Sequence, residues 1–251
     1  MERSERIRRI REWERTEEYE LQYTQYCTAT DRIVSTVEAY RSMLLCDTAE
    51  FEKCAVRTEA ASNGDLHRGY YCPSLTVDLV VGGVKRGNLL RRLTKRSKSY
   101  FLYGFDKEDK LIWCKHIFNN IHVKTEYLFY RGDHVYGLTM RSDGRLEVVT
   151  EEQYCDGKLT SYCYILIIPN NICSEWVEMR KEVYHYDDQG LLTCDWYSLF
   201  PYLHDLRHER ITFNRINGFL AEHYWETIIG VEKELVIRES DLCYSLVERK
   251  A

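Results

Sequence analysis

The stretch HVYGLTMRSDGRLEVVTEEQYCDGKLTSYCYILII, residues 134–168, decides the fold class. Three runs rich in β-branched and aromatic residues, at 134–140, 145–150 and 159–168, are separated by Asp143-Gly144 and Asp156-Gly157. Asp-Gly accepts the positive φ angles that a tight hairpin turn demands. Two hairpins in series predict an antiparallel meander. Strand side chains alternate between faces, so Val135, Gly137 and Thr139 oppose Tyr136, Leu138 and Met140. Neither set is simply polar, so both faces of the sheet are expected to be partly covered.

The pattern continues in both directions. Runs at 100–105, 110–117 and 125–130 precede the stretch, and runs at 182–186, 191–197, 210–216 and 219–225 follow it. Turn signals lie between them at Lys107-Glu108-Asp109, Arg131-Gly132-Asp133, Pro169-Asn170-Asn171, Gln189-Gly190 and Asn217-Gly218. Together they predict roughly eight to eleven strands. In KLIWCKHI, Leu111, Trp113, Lys115 and Ile117 should share one face, with Ile112, Cys114 and His116 on the other. Residues 230–250 read equally as strand or short helix.

The N-terminal part has helical spacing instead. Ile7, Ile10 and Trp13 form one stripe; Ile33, Val37, Tyr40 and Leu44 form a clearer one, with Thr30 or Asp31 able to cap it. Phe51, Cys54 and Ala55 suggest a third short helix, broken by Ala-Ser-Asn-Gly-Asp at 61–65. The expected fold class is α+β: a helical segment, 1–68, packed on a large twisted antiparallel β-meander, 69–251, in one continuous domain.

Length, 44% hydrophobic and 30% charged content fit one sizeable globular domain and exclude a disordered chain. A net charge of −5 argues against a general nucleic-acid coat and suits a soluble protein or one with a basic partner. No apolar run is long enough to span a membrane, and the charged N-terminus lacks a signal-peptide core, so the expected location is the cytoplasm. The ten cysteines then read as free thiols, mostly buried; no CxxC pair supports a redox motif or a paired-cysteine zinc site. Nucleophile-elbow and dinucleotide-loop motifs are absent, and Glu151-Glu152 and Asp187-Asp188 read as solubility and turn chemistry. No catalytic residue and no cofactor are expected.

One segment offers chemistry. VDLVVGGVKRGNLLRRLTKRSK, residues 77–98, orders strand, glycine turn and helix as phosphate sites do. Gly82 and Gly87 have P-loop spacing, but Asn88 and Leu89 stand where Lys and Ser or Thr are required. What remains is positive charge: Lys85, Arg86, Arg91, Arg92, Lys95, Arg96 and Lys98, with no acidic residue among them. On a helix over 88–98, Leu89, Leu90 and Leu93 would form an apolar edge. Such a face suits solvent, an acidic partner surface or a nucleic-acid backbone stacked on Tyr100, Phe101 and Tyr103. A second candidate is His204-Asp205-Leu206-Arg207-His208. A helix there would set His204 and His208 on one face for a metal, with Glu222, His223 or Glu226 as third ligand, although Arg207 and Arg210 crowd it.

The run Tyr184-His185-Tyr186-Asp187-Asp188-Gln189-Gly190-Leu191-Leu192 resembles the tyrosine-aspartate repeat of Rhs-type proteins, YxYDxxGxL. A degenerate copy spans Tyr103 to Leu111, with Asp109 in place of the Gly. The resemblance implies strand–turn–strand hairpins. In general character the chain also resembles the immunity proteins of bacterial polymorphic toxins, which implies a protein partner, a toxin domain. The expected function is thus a non-enzymatic protein-binding protein of the bacterial cytosol. It would bind through the basic segment or an aromatic sheet face including Tyr103, Trp113, Tyr136, Tyr186 and Trp196. The alternatives are nucleic-acid binding through 85–98 and a metal-dependent hydrolase at His204 and His208.

Overall fold

A computed structural model describes residues 3–44, 47–76, 85–169, 174–188, 190–216 and 219–228. Three helices come first: α1 (Arg3–Trp13), α2 (Glu17–Leu44) and α3 (Thr48–Lys53). Twelve strands follow among the described residues. They are β1 (Arg57–Ser62), β2 (Leu89–Leu90), β3 (Tyr100–Phe105), β4 (Leu111–Phe118), β5 (Ile121–Arg131) and β6 (His134–Arg141). The remainder are β7 (Leu146–Cys155), β8 (Lys158–Pro169), β9 (Ser174–Asp187), β10 (Gly190–Phe200), β11 (Asp205–Ile216) and β12 (Phe219–Ile228). All join one open sheet in the order β12-β11-β10-β9-β8-β7-β6-β5-β4-β3-β1-β2. From β3 to β12 each strand pairs antiparallel with the next, the meander expected from the turn signals.

The turns work as their chemistry requires. Asp156 and Gly157 take φ of 50° and 74°, both positive, in a two-residue turn that lets Cys155 pair with Lys158. Asn119 and Asn120 do the same at 50° and 64° between β4 and β5, a turn the pattern reading passed over. Asp106 shows what the aspartate of a hairpin motif does: its Oδ1 accepts the N–H of Glu108 and of Lys110, both at 2.9 Å. Asp109 then adopts φ 62° where the repeat pattern has glycine.

One row of cross-strand neighbours explains the core. Trp113, Tyr127, Leu138, Val149, Ile165, Met179, Leu199 and Leu206 sit opposite one another from β4 to β11, all buried. Fully burying each such side chain contributes about 1.5–3 kcal/mol. Gly104 ends the row beside Trp113, and a Cβ there would overlap the indole. Helix α2 covers this face with Tyr19, Ile33, Val34, Val37 and Leu44. It crosses the strands: the Tyr19 hydroxyl donates to His204 O at 2.7 Å near β11, while Tyr40 stacks on Phe129 of β5 at 4.6 Å. Helix α3 continues the cover, Phe51 meeting Tyr127 edge-on.

The expected faces of β6 are found: Tyr136, Leu138 and Met140 pack in the helix-face cluster, and Val135 in a cluster on the opposite face. In β4 the alternation holds from Trp113 onward. A register shift between Gly104 and Phe105 then turns Ile112 to the helix side and Leu111 to the other.

Four local expectations are corrected. Helix α2 begins at Glu17, not near Thr30; Thr16 Oγ1 accepts the Tyr19 N–H at 3.1 Å, and Thr30 lies buried inside the helix, its hydroxyl donating to Tyr26 O. Residues 57–62, read as part of the helical segment, form β1, because six residue pairs with β3 outweigh the weak strand propensity of RTEAAS. The basic segment is not a helix. Leu89 and Leu90 pair with Ala61 and Ala60 at the sheet edge, Ser62 N–H donates to Asn88 O, and Thr94 and Ser97 bond each other locally, which competes with helix formation. His204 and His208 also lack a helix. A single 3-10 turn, Pro201–Leu203, ends at His204 with φ 50°, and His208 lies in β11. The strand read at 77–81, Gly82, and the calls on 170–171, 217–218 and 230–250 fall outside the described residues.

Candidate functional site

The basic segment forms a corner of the sheet. Arg86 is tied inward by its side chain, whereas Lys85 is held through its backbone and stays exposed. The Asp65 N–H donates to Lys85 O and the Lys85 N–H to the Asp65 carboxylate, and the Arg86 guanidinium donates to the carbonyls of Cys72 and Ser74. The other five cations, Arg91, Arg92, Lys95, Arg96 and Lys98, are exposed. Among the described residues none of the five forms an ion pair, although Asp and Glu outnumber Lys and Arg 40 to 35 in the chain. Asn120 N–H donates to Lys98 O at 2.7 Å and Asn119 N–H to Ser99 Oγ at 3.1 Å. These bonds bring exposed Phe118 and Ile121 of the β4–β5 hairpin beside the cations, with Leu89 and Leu93 also exposed.

The five aromatics expected on one open face are divided. Trp113 and Tyr136 lie under the helices. Tyr103, Tyr186 and Trp196 lie on the opposite face, and Tyr103, Trp113 and Trp196 are buried. Tyr186 remains half-buried, its hydroxyl donating to Leu159 O at 2.6 Å. Packing of a two-sided sheet uses these rings because both faces are covered. Phe101 and Tyr103, candidates for base stacking, are buried as well.

His204 and His208 are four residues apart along extended chain, about 13 Å at strand rise. They have different partners: His204 Nε2 meets Glu20 at 2.9 Å, and His208 Nε2 meets Asp195 Oδ1 at 3.0 Å. Asp195 also receives His185 at 2.8 Å and a two-nitrogen fork from Arg210 at 2.7 and 2.9 Å. Burial would raise the Asp195 carboxyl; these donors outweigh it and hold the group well below the usual carboxylate range. Among the described residues no group of three His, Cys, Asp or Glu is arranged to hold a metal.

The sequence reading missed the cover of the second face. Residues 63–76 cross β5 to β10 with Gly69–Tyr71 as a 3-10 turn, and they bring buried charge with them. Arg68 is only 3% exposed. It forks onto Glu126 at 2.7 and 3.0 Å and reaches Glu152 at 2.7 Å. His67 bridges Glu126 and the Tyr162 hydroxyl, each at 3.2 Å. Burial disfavours the His67 cation, yet Glu126 and Cys72 raise its pKa to about 9. Burial likewise disfavours the Glu126 anion, and Arg68 and His67 reverse that and hold its pKa far below normal. Gly137 leaves the room, since a Cβ there would overlap Thr150 and Glu126. Further along, Glu182 accepts from Ser74 at 2.7 Å, from Thr76, and from Tyr184 at 2.6 Å; burial raises its pKa despite them.

Glu152, read as a solubility residue, is thus part of an internal network. The available signal was a carboxylate inside an aromatic-rich strand pattern, as Glu126 is in TEYLFY and Glu182 in EVYHY. No family model and no curated protein matches this chain.

Proposed function

We propose that this chain is a non-enzymatic protein-binding protein that docks an acidic partner surface on the corner formed by residues 85–98 and the β4–β5 turn. Toxin neutralisation in a bacterial cytosol, as by an immunity protein, is its most concrete form. The observation that carries the reading is the set of five exposed cations that form no ion pair among the described residues, beside exposed Phe118 and Ile121. Unpaired cations speed encounter with an acidic surface, and adjacent apolar side chains add contact area. A two-residue edge strand followed at once by Arg91 and Arg92 also discourages sheet-to-sheet aggregation, which leaves the corner free for a chosen partner. The burial of Phe101 and Tyr103 leaves Tyr100 alone of the three rings for base stacking, which favours the protein partner over single-stranded nucleic acid.

The test is native co-purification with mass spectrometry, repeated with Arg91, Arg92, Lys95 and Arg96 all changed to Glu. One protein partner should be lost in the variant, and its binding to the native chain should weaken as salt rises. Retention of the same partner at equal affinity rejects the corner. Salt-sensitive gel shifts with RNA or DNA that the variant abolishes would assign the corner to nucleic acid instead.

A further inference from the structure

Between the 63–76 segment and the sheet lies a cavity of about 290 Å3. Ligand sites commonly measure roughly 300–1,000 Å3, so its occupant is a small molecule. Register builds the floor: Tyr162 faces Glu182, Glu182 faces Trp196, and Tyr164 faces Arg180. Lys124 of β5 completes one side; Leu66 and His67 belong to the roof.

The hydrogen-bonding capacity of the lining is one-sided. Of its two carboxylates, Glu182 is filled by the protein and Asp65 is partly used. Asp65 accepts the Lys85 N–H at 2.9 Å, and Glu182 takes three hydroxyl donors. The donors are not used up. Arg180 spends only Nε, on Glu178 at 2.5 Å, which leaves its two terminal nitrogens free among the described residues. Lys124 has a single partner, Glu147 at 3.1 Å. The Tyr164 hydroxyl has no hydrogen bond among the described residues, and burial pushes its pKa up to about 12, so it stays a donor. Free donors beside a saturated Glu182 favour an occupant that brings acceptors and negative charge. The flat rings of Tyr162, Tyr164 and Trp196 favour a planar apolar body.

We propose that this cavity binds a small planar organic anion, a ring carboxylate. Its ring would lie against Tyr162, Tyr164 and Trp196, and its carboxylate would meet Arg180, Lys124 and the Tyr164 hydroxyl. Calorimetry and ligand-observed NMR on the full chain test this with benzoate and indole-3-carboxylate, each compared with its neutral amide. At least one carboxylate should saturate in the micromolar to millimolar range, with its amide at least about tenfold weaker. Arg180→Gln should weaken the carboxylate about tenfold, and Tyr164→Phe should weaken it less, about threefold. Arg180 is exposed and Tyr164→Phe conserves packing, so both variants should keep the native melting temperature. The proposal is overturned if neither carboxylate saturates by about 10 mM, if the amides bind equally well, or if both variants bind as the native chain does. Inorganic phosphate binding as tightly as the carboxylates would also overturn it, since the aromatic wall would then contribute nothing.

Discussion

On the helix face, Leu138, Val149, Ile165 and Met179 meet Ile33, Val34 and Val37 of α2. On the other face of the same strands, Glu126, Thr150, Glu152 and Glu182 are buried beneath Arg68, Ser74 and Thr76. The first face is held by non-directional burial, which tolerates substitution wherever volume and polarity are kept. The second is held by directional bonds, and each partner left alone becomes a buried, uncompensated charge. Apolar clusters flank that polar centre, Leu128 and Val135 on one side and Tyr184 and Trp196 on the other. Water is thus kept from the ion pairs, which makes them sensitive to loss.

Breaking this contrast should have the largest effect at Arg68. Arg68→Met strands Glu126 and Glu152, and should cost roughly 3–5 kcal/mol in urea denaturation. Adding Glu126→Gln and Glu152→Gln should return part of it. If Arg68→Met alone is neutral, the loop face is not held by charge. On the helix face Leu138→Ala should cost about 3 kcal/mol through a cavity, with no companion substitution needed to interpret it.

The two faces should also part in their pH response. His67 titrates higher in the folded chain, about 9, than the ordinary histidine value of 6.5. Its contribution is therefore complete below about pH 6.5 and is lost as pH rises through 9, on the order of 3 kcal/mol. Glu126 has the opposite sign: its folded value is depressed, so its contribution is present above the ordinary glutamate value of 4.5 and falls away in acid. Denaturation midpoints should decline from pH 6.5 to 9, and His67→Gln should flatten that decline, whereas Leu138→Ala should shift the curve without changing its shape. The smallest effect belongs to neither face. Reversing Arg91, Arg92, Lys95 and Arg96 should change stability by less than about 0.5 kcal/mol per site, while removing the partner binding proposed for that corner.

Much of the sheet was legible because hairpin chemistry is local. Asp156-Gly157 and Asp143-Gly144 mark turns by residue type alone, and alternation in 134–140 assigns faces that the tertiary structure keeps. The stripe of Ile33, Val37 and Leu44 similarly announced a helix with one buried side. Strand β1 was hidden, since its residues carry no strand pattern and its pairing with β3 lies about forty residues away in sequence. The basic segment looked helical from its leucines until edge pairing claimed Leu89 and Leu90.

The candidate sites divide along the same line. Charge at 85–98 is a property of composition, and could be read directly. That five of those cations go unpaired among the described residues depends on where the carboxylates end up. Arg68 and Glu126 are 58 residues apart, and Arg68 and Glu152 are 84 apart. By itself the sequence determined periodicity, turns and the position of charge, because these arise between residues a few positions apart. Only the tertiary structure decided which carboxylates are buried, which aromatics are covered and what closes the second face. Burial and pairing over such separations exist only once the meander has brought distant strands under one loop.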